Sequence, residues 1–132
     1  SLFRPVAVDK RLFIDGGVTN PLPLDLVAEG SDLLVGIDVN GGPDERFATG
    51  EPSAFDAGFL ATQIMSQTLI RNMVELHQPD VYVRPEVNPF GILEFWRVRE
   101  ILDHVADGKD DFKRQLSEKI EAWEKGGSTS SP

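Results

Sequence analysis

Apolar residues in this chain of 132 residues come as short continuous runs in its first third and at helical spacing over most of the rest. "RLFI" at 11–14 is a run that stops where Asp15, Gly16 and Gly17 begin, the pattern of a brief strand feeding a turn. Pro21 biases Asn20 away from helical backbone, and Pro23 suits the first turn of a short helix over "PLDLVAE" that ends at Gly30. "DLLVGIDVN" at 32–40 has five apolar residues among its seven internal positions without strict alternation. That predicts a strand buried on both faces, as in a parallel sheet.

Glycine, proline and charge make 41–52 a loop. Ser53, with Asp56 three positions on, is a capping box that opens a long helix, whose predicted apolar stripe is Phe59, Ile64, Leu69, Met73 and Leu76. "DVYV" at 80–83 reads as another short strand, and the proline-bearing segment 84–95 as an ordered loop. Val98, Ile101, Leu102 and Val105 share one face of a helix ending near Gly108. Phe112, Leu116, Ile120 and Trp123 form the face of a last helix, and the acidic run 107–111 is a water-facing junction between the two. The order of strands and helices predicts an α/β layer with a mainly parallel sheet, over one domain at 1–125 and a disordered tail at 126–132.

Composition narrows the chemistry. Hydrophobic content of 40% with 27% charged residues is that of a folded domain. A net charge of -9, with no basic cluster, excludes a phosphate backbone as the natural partner. Without cysteine there is no thiolate chemistry or disulfide framework, and two histidines leave a metal site dependent on carboxylates; neither a metal nor a cofactor is expected. No run reaches the length of a spanning helix, so contact with lipid is expected to be peripheral at most. The first residue is not methionine, which fits a trimmed chain or the second half of something larger.

Asp15 stands where parallel α/β sheets gather catalytic groups, beyond the end of a strand. It could move a proton, orient a donor or hold a ligand, or it could do no more than accept amide hydrogen bonds in the Gly16-Gly17 turn. Asn20 most simply fixes the loop through side-chain to backbone bonds. Asp38 reads as a strand-end acid satisfied by loop amides. His77 at a helix end and His104 in a polar helix are read as structural or solvated. Phe47 and the apolar cluster 88–96, with Phe90, Leu93 and Phe95, are candidates for lining a hydrophobic pocket, or for filling a satellite core.

"LFIDGGVTNPLPLDLVAEGSDLLVGIDVN" resembles the carboxyl-terminal half of the patatin-like phospholipases, of the bacterial stand-alone type. The looser features that follow, "RNM", "PDVYVRP" and "FWRVREILDHVADGKDDF", extend the resemblance over about residues 10–116. It implies the carboxyl-terminal part of a three-layer fold with a mainly parallel central sheet flanked by helices. It also implies a lipid acyl hydrolase that cleaves carboxylic esters with a serine–aspartate dyad and no histidine. Asp15 matches the dyad aspartate, with Gly16, Gly17, Asn20 and Pro21 supporting its turn. An aspartate carboxylate, with a reference pKa of about 3.9, is a weak base, so it must take the serine proton as the serine attacks, beside amides that stabilise the oxyanion.

The serines stand at 1, 31, 53, 66, 117, 128, 130 and 131, none in G-x-S-x-G, and no glycine-rich oxyanion loop precedes Asp15. The serine-bearing half is therefore expected outside these residues, in an amino-terminal segment or a separate chain, and the chain by itself is expected to be inactive. Homo-oligomerisation is a further expectation. The alternative is a non-catalytic lipid- or protein-binding module or scaffold derived from the family. The expected location is cytoplasmic, with any membrane contact at the inner face.

Overall fold

The computed structural model describes residues 4–41, 53–90 and 94–127. Its first element is a hairpin that the sequence pattern did not announce. β1 (Val6–Val8) pairs antiparallel with β2 (Arg11–Phe13), Val8 opposite Arg11. The two linking residues, Asp9 and Lys10, both have positive φ, 47° and 65°, the hand that matches strand twist in a two-residue hairpin. The Asn-Gly or Asp-Gly signature of that turn is absent, which hid it.

β3 (Val35–Ile37) and β4 (Val81–Val83) form a separate parallel pair, in register Val35 with Val81 and Ile37 with Val83. They are joined across the long helix α2 (Ala54–His77), so the observed architecture is mixed α/β with two small sheets, one of them parallel. The strand at 11–14 lies in the antiparallel hairpin and not in the parallel sheet.

α1 (Asp25–Ala28) is shorter than the predicted helix, and Gly30 stops it with a φ of 83° that a residue with a Cβ adopts only under strain. α2 starts as predicted: the Ser53 side chain accepts from the Asp56 amide while the Asp56 carboxylate accepts from the Ser53 amide. Gln78 ends the helix in the left-handed region.

The core is small. Leu22, Leu24, Leu34 and Ile70 bury together, with Ala28, Val74 and Tyr82 packed against them. Ile70 and Val74 face this core; of the predicted stripe, Phe59, Leu69 and Met73 are half-buried and Ile64 and Leu76 are exposed. The covered side of α2 also takes in Gln63, Gln67 and His77, polar residues that masked its period.

β3 also departs from its predicted burial. Leu34, Gly36 and Asp38 are buried, whereas Ile37 is 48% and Val39 66% exposed, so one face is covered and the other is not. Gly36 fits closely on the covered face, where a Cβ would stand 3.3 Å from the Tyr82 ring and 3.5 Å from Leu24.

α3 (Val98–His104) follows a 3-10 turn at Phe95–Arg97, and α4 (Ala106–Gly127) closes the described chain. The break between them falls at Val105, not near Gly108, which lies inside α4 with 107–111 as an exposed helical segment. α4 also takes in Gly126 and Gly127, the first two residues of the predicted tail.

Candidate active site

β2 delivers the chain to Ile14 and Asp15, and Asp15 caps the 3-10 turn Gly16–Val18. Its Oδ1 accepts a hydrogen bond from the Gly17 amide at 2.9 Å. Oδ2 has no partner among the described residues, and the side chain is exposed. The turn closes through the Gly16 carbonyl, which accepts from the Thr19 amide at 3.1 Å and the Asn20 amide at 2.9 Å. Neither glycine uses a positive φ. What Gly17 supplies is room, since a Cβ there would lie 3.3 Å from Asp15 Oδ1. A Cβ on Gly16 would meet nothing within 4 Å.

The far side of the turn is tied down. Asn20 Nδ2 donates to Asp25 Oδ1 at 2.8 Å, so the Asn20 side chain fixes the loop through another side chain and not through the backbone bonds expected of it. Its Oδ1 is buried with no hydrogen-bond partner among the described residues. Pro21 follows half-buried, then Leu22 and Leu24 plug into the core. The Asp15 turn is thus anchored at its carboxyl end by apolar burial and open at its carboxylate.

Asp38 is the second acid, and it is fully buried. Oδ1 accepts from the Asn40 amide at 2.9 Å and from Asn40 Nδ2 at 3.1 Å; Oδ2 accepts from the Tyr82 hydroxyl at 3.1 Å and lies 3.6 Å from Arg84 Nε. The expected loop amide is present, but Tyr82 and Arg84 were not foreseen. The signal lay in the pairing: Gly36 opposite Tyr82 leaves room for the ring across the strands. Burial pushes the Tyr82 hydroxyl above its ordinary pKa, and the Asp38 charge and hydrogen bond push it further, with Arg84 opposing.

Beside this pair a cleft of about 570 Å³ opens between α2 and β4, with Ile64, Ile70 and Val74 as apolar wall and Arg71, Glu75 and Arg84 as charged groups. Phe90 is not in its lining. The Phe90 ring instead meets His104 edge-on at 5.4 Å, with the Arg97 guanidinium 4.8 Å from its centre, a local cluster under the loop. Arg97 is itself forked onto Glu94 and Glu100. Phe47 and Leu93 lie outside the described residues, as does the Phe95 side chain.

His77 sits half-buried in the last turn of α2. The Ser31 hydroxyl donates to the Val27 carbonyl of α1, and the Ser53 hydroxyl is held in its cap. Among the described residues no three His, Asp or Glu side chains are grouped to hold a metal ion, and no helix is long and apolar enough to cross a membrane.

These elements define a mixed α/β chain that presents one open carboxylate from a strand-to-turn junction and buries a second in its parallel pair. No known protein-family model matches it.

Proposed function

We propose that this chain is the aspartate-bearing part of a patatin-like acyl hydrolase, of three-layer fold, that cleaves carboxylic esters of lipids. The observation that carries the reading is the setting of Asp15: one carboxylate oxygen held by the Gly17 amide, the other open, on a turn rooted in the core. A carboxylate fixed by one oxygen and free at the other is oriented to accept a proton.

A serine supplied from outside these residues would approach Asp15 Oδ2. Its hydroxyl attacks the ester carbonyl carbon as its proton passes to Asp15. The tetrahedral oxyanion collapses, the alcohol leaves with that proton, and water then attacks the acyl-serine by the same route in reverse. Asp15 is exposed in this chain, so the segment that brings the serine must also exclude water from the carboxylate.

The test has two parts. The region encoded immediately ahead of Ser1 should contain G-x-S-x-G behind a glycine-rich loop, and its absence sinks the reading in favour of a binding module or scaffold. The polypeptide joining both regions should hydrolyse a p-nitrophenyl ester, and Asp15→Asn should abolish turnover with the circular dichroism spectrum unchanged. Wild-type turnover in that variant, or serine-dependent turnover by the 132-residue chain alone, refutes the assignment.

A further inference from the structure

Strand alternation carries Tyr82 and, just past the end of β4, Arg84 to the face that α2 covers. α2 returns antiparallel between two parallel strands, so Arg84 stands toward its Ile64 end and Glu75 lies at the far end. The bond from Gln67 Nε2 to the Gly41 carbonyl, 3.1 Å, fixes that alignment, since Gly41 follows β3 as Arg84 follows β4. On α2 itself Ile64, Thr68, Arg71 and Glu75 recur at helical spacing along one side. The helix side and the strand end are thus the two walls of the 570 Å³ cleft, a volume within the roughly 300 to 1,000 Å³ of small-molecule sites.

The polar groups of these walls differ in how far they are committed. The Thr68 hydroxyl already donates to the Ile64 carbonyl at 3.0 Å. Arg71 has no ion pair or side-chain hydrogen bond among the described residues. Arg84 turns Nε toward Asp38 Oδ2 at 3.6 Å, beyond hydrogen-bond reach, and its terminal nitrogens have no partner among the described residues. Asp38 does not depend on that contact, because three hydrogen bonds already end on its carboxylate. Two guanidinium groups with free planar edges in one cleft are matched to an oxyanion.

We infer that this cleft binds a monocarboxylate carried on a short apolar chain, with the carboxylate between Arg84 and Arg71 and the chain against Ile64 and Val74. The two arginines attract the anion, while Glu75 in the lining and Asp38 behind Arg84 limit it to a single negative charge. The apolar wall gives the chain of the ligand a place that a bare inorganic ion would leave empty. Asp15 is not among the lining groups, and the inference does not rest on the function proposed above.

Tyr82, the sole tyrosine, lines the cleft and reports on its occupancy. Burial and Asp38 raise its pKa and Arg84 opposes them, so an anion paired with Arg84 should move the phenolate absorbance to higher pH. Titration calorimetry of the 132-residue chain with sodium octanoate should show a saturable site with a Kd of about 1 mM or tighter. Octanol, which lacks the charge, and inorganic phosphate, which lacks the chain, should each bind about tenfold more weakly or worse. Arg71→Gln, at an exposed position, should leave urea unfolding unchanged and weaken octanoate about tenfold. Arg84→Gln should weaken it as well, raise the Tyr82 pKa without ligand, and remove the effect of octanoate on that pKa. Octanol or phosphate binding as tightly as octanoate, full affinity in Arg71→Gln, a Tyr82 absorbance unmoved at saturation, or no saturable site would each overturn the inference. Asp15→Asn should bind octanoate like the wild type, so loss of ester turnover with binding intact removes the proposed function and keeps the site.

Discussion

Replacing Asp38 with alanine tests whether a buried carboxylate in this sheet stabilises it or burdens it. Three hydrogen bonds end on the carboxylate, two from Asn40 and one from the Tyr82 hydroxyl. At about 0.5 to 1.5 kcal/mol each, their loss totals roughly 1.5 to 4.5 kcal/mol. The Arg84 contact adds little, since at 3.6 Å and with the Arg84 side chain 40% exposed it is screened by water. Against this stands the desolvation of the carboxylate itself, which removal would relieve. Because the abandoned cation is half in solvent and the abandoned donors are part-buried, the donors decide the sign. Asp38→Ala should cost about 2 to 3 kcal/mol in urea unfolding, and Asp38→Asn, which keeps one acceptor for Asn40, about 1 kcal/mol. In a double-mutant cycle, Tyr82→Phe and Asp38→Ala should couple by about 1 kcal/mol. An alanine variant as stable as the wild type would mean that desolvation offsets the network, and the account of this acid would be wrong.

Other expectations follow from the same geometry. Gly17→Ala should fold with stability within about 1 kcal/mol of wild type, since Gly17 has no positive φ, yet on the proposed function it should lower the ester turnover of the polypeptide joining both regions about tenfold by displacing the Asp15 carboxylate; unchanged turnover would show that the turn does not position the acid. Tyr82 is the sole tyrosine, so its phenolate absorbance should appear above the ordinary pKa of 10.0. Because the folded value is raised, its contribution to stability is complete below the unfolded pKa and lost as pH rises through the folded one. That alkaline loss should vanish in Tyr82→Phe, and an unaltered profile would exclude Tyr82 as its source. Ser53→Ala removes the reciprocal cap of α2 and should cost about 1 kcal/mol by urea unfolding, where no loss would show that this helix end frays. Gly30→Ala forces a Cβ into a φ of 83° and should cost about 1 kcal/mol or more by the same measurement; a neutral result would mean that the turn relaxes.

Local signals were legible where one residue type does one job. Ser53 with Asp56, the stop at Gly30, the strand at 80–83 and the turn after Asp15 could all be read directly. The hairpin at Asp9-Lys10 could not, because Lys10 stands where that turn normally has glycine and a lysine rarely adopts the left-handed conformation. Nor could the one-sided burial of β3, because a continuous apolar run reads the same whether one face of the strand is covered or both. At the site, Asp15 was visible as a strand-end acid. The Asp38–Tyr82–Arg84 cluster was not, since it depends on a register between segments far apart in sequence.

That distance has a consequence for how the chain folds. Leu34 N–H donates to the Asp80 carboxylate at 2.9 Å across 46 residues. Closing a flexible loop of that length costs about 3.4 kcal/mol before its constant term, from the logarithmic growth of closure entropy. The β1–β2 hairpin closes over a two-residue link and needs no such search. We therefore expect the parallel pair to form late, after α2 has shortened the effective loop. Mutations at Val35 or Val81 should then speed unfolding more than they slow folding, giving low φ-values in stopped-flow refolding, whereas values near one would place the pair in the nucleus.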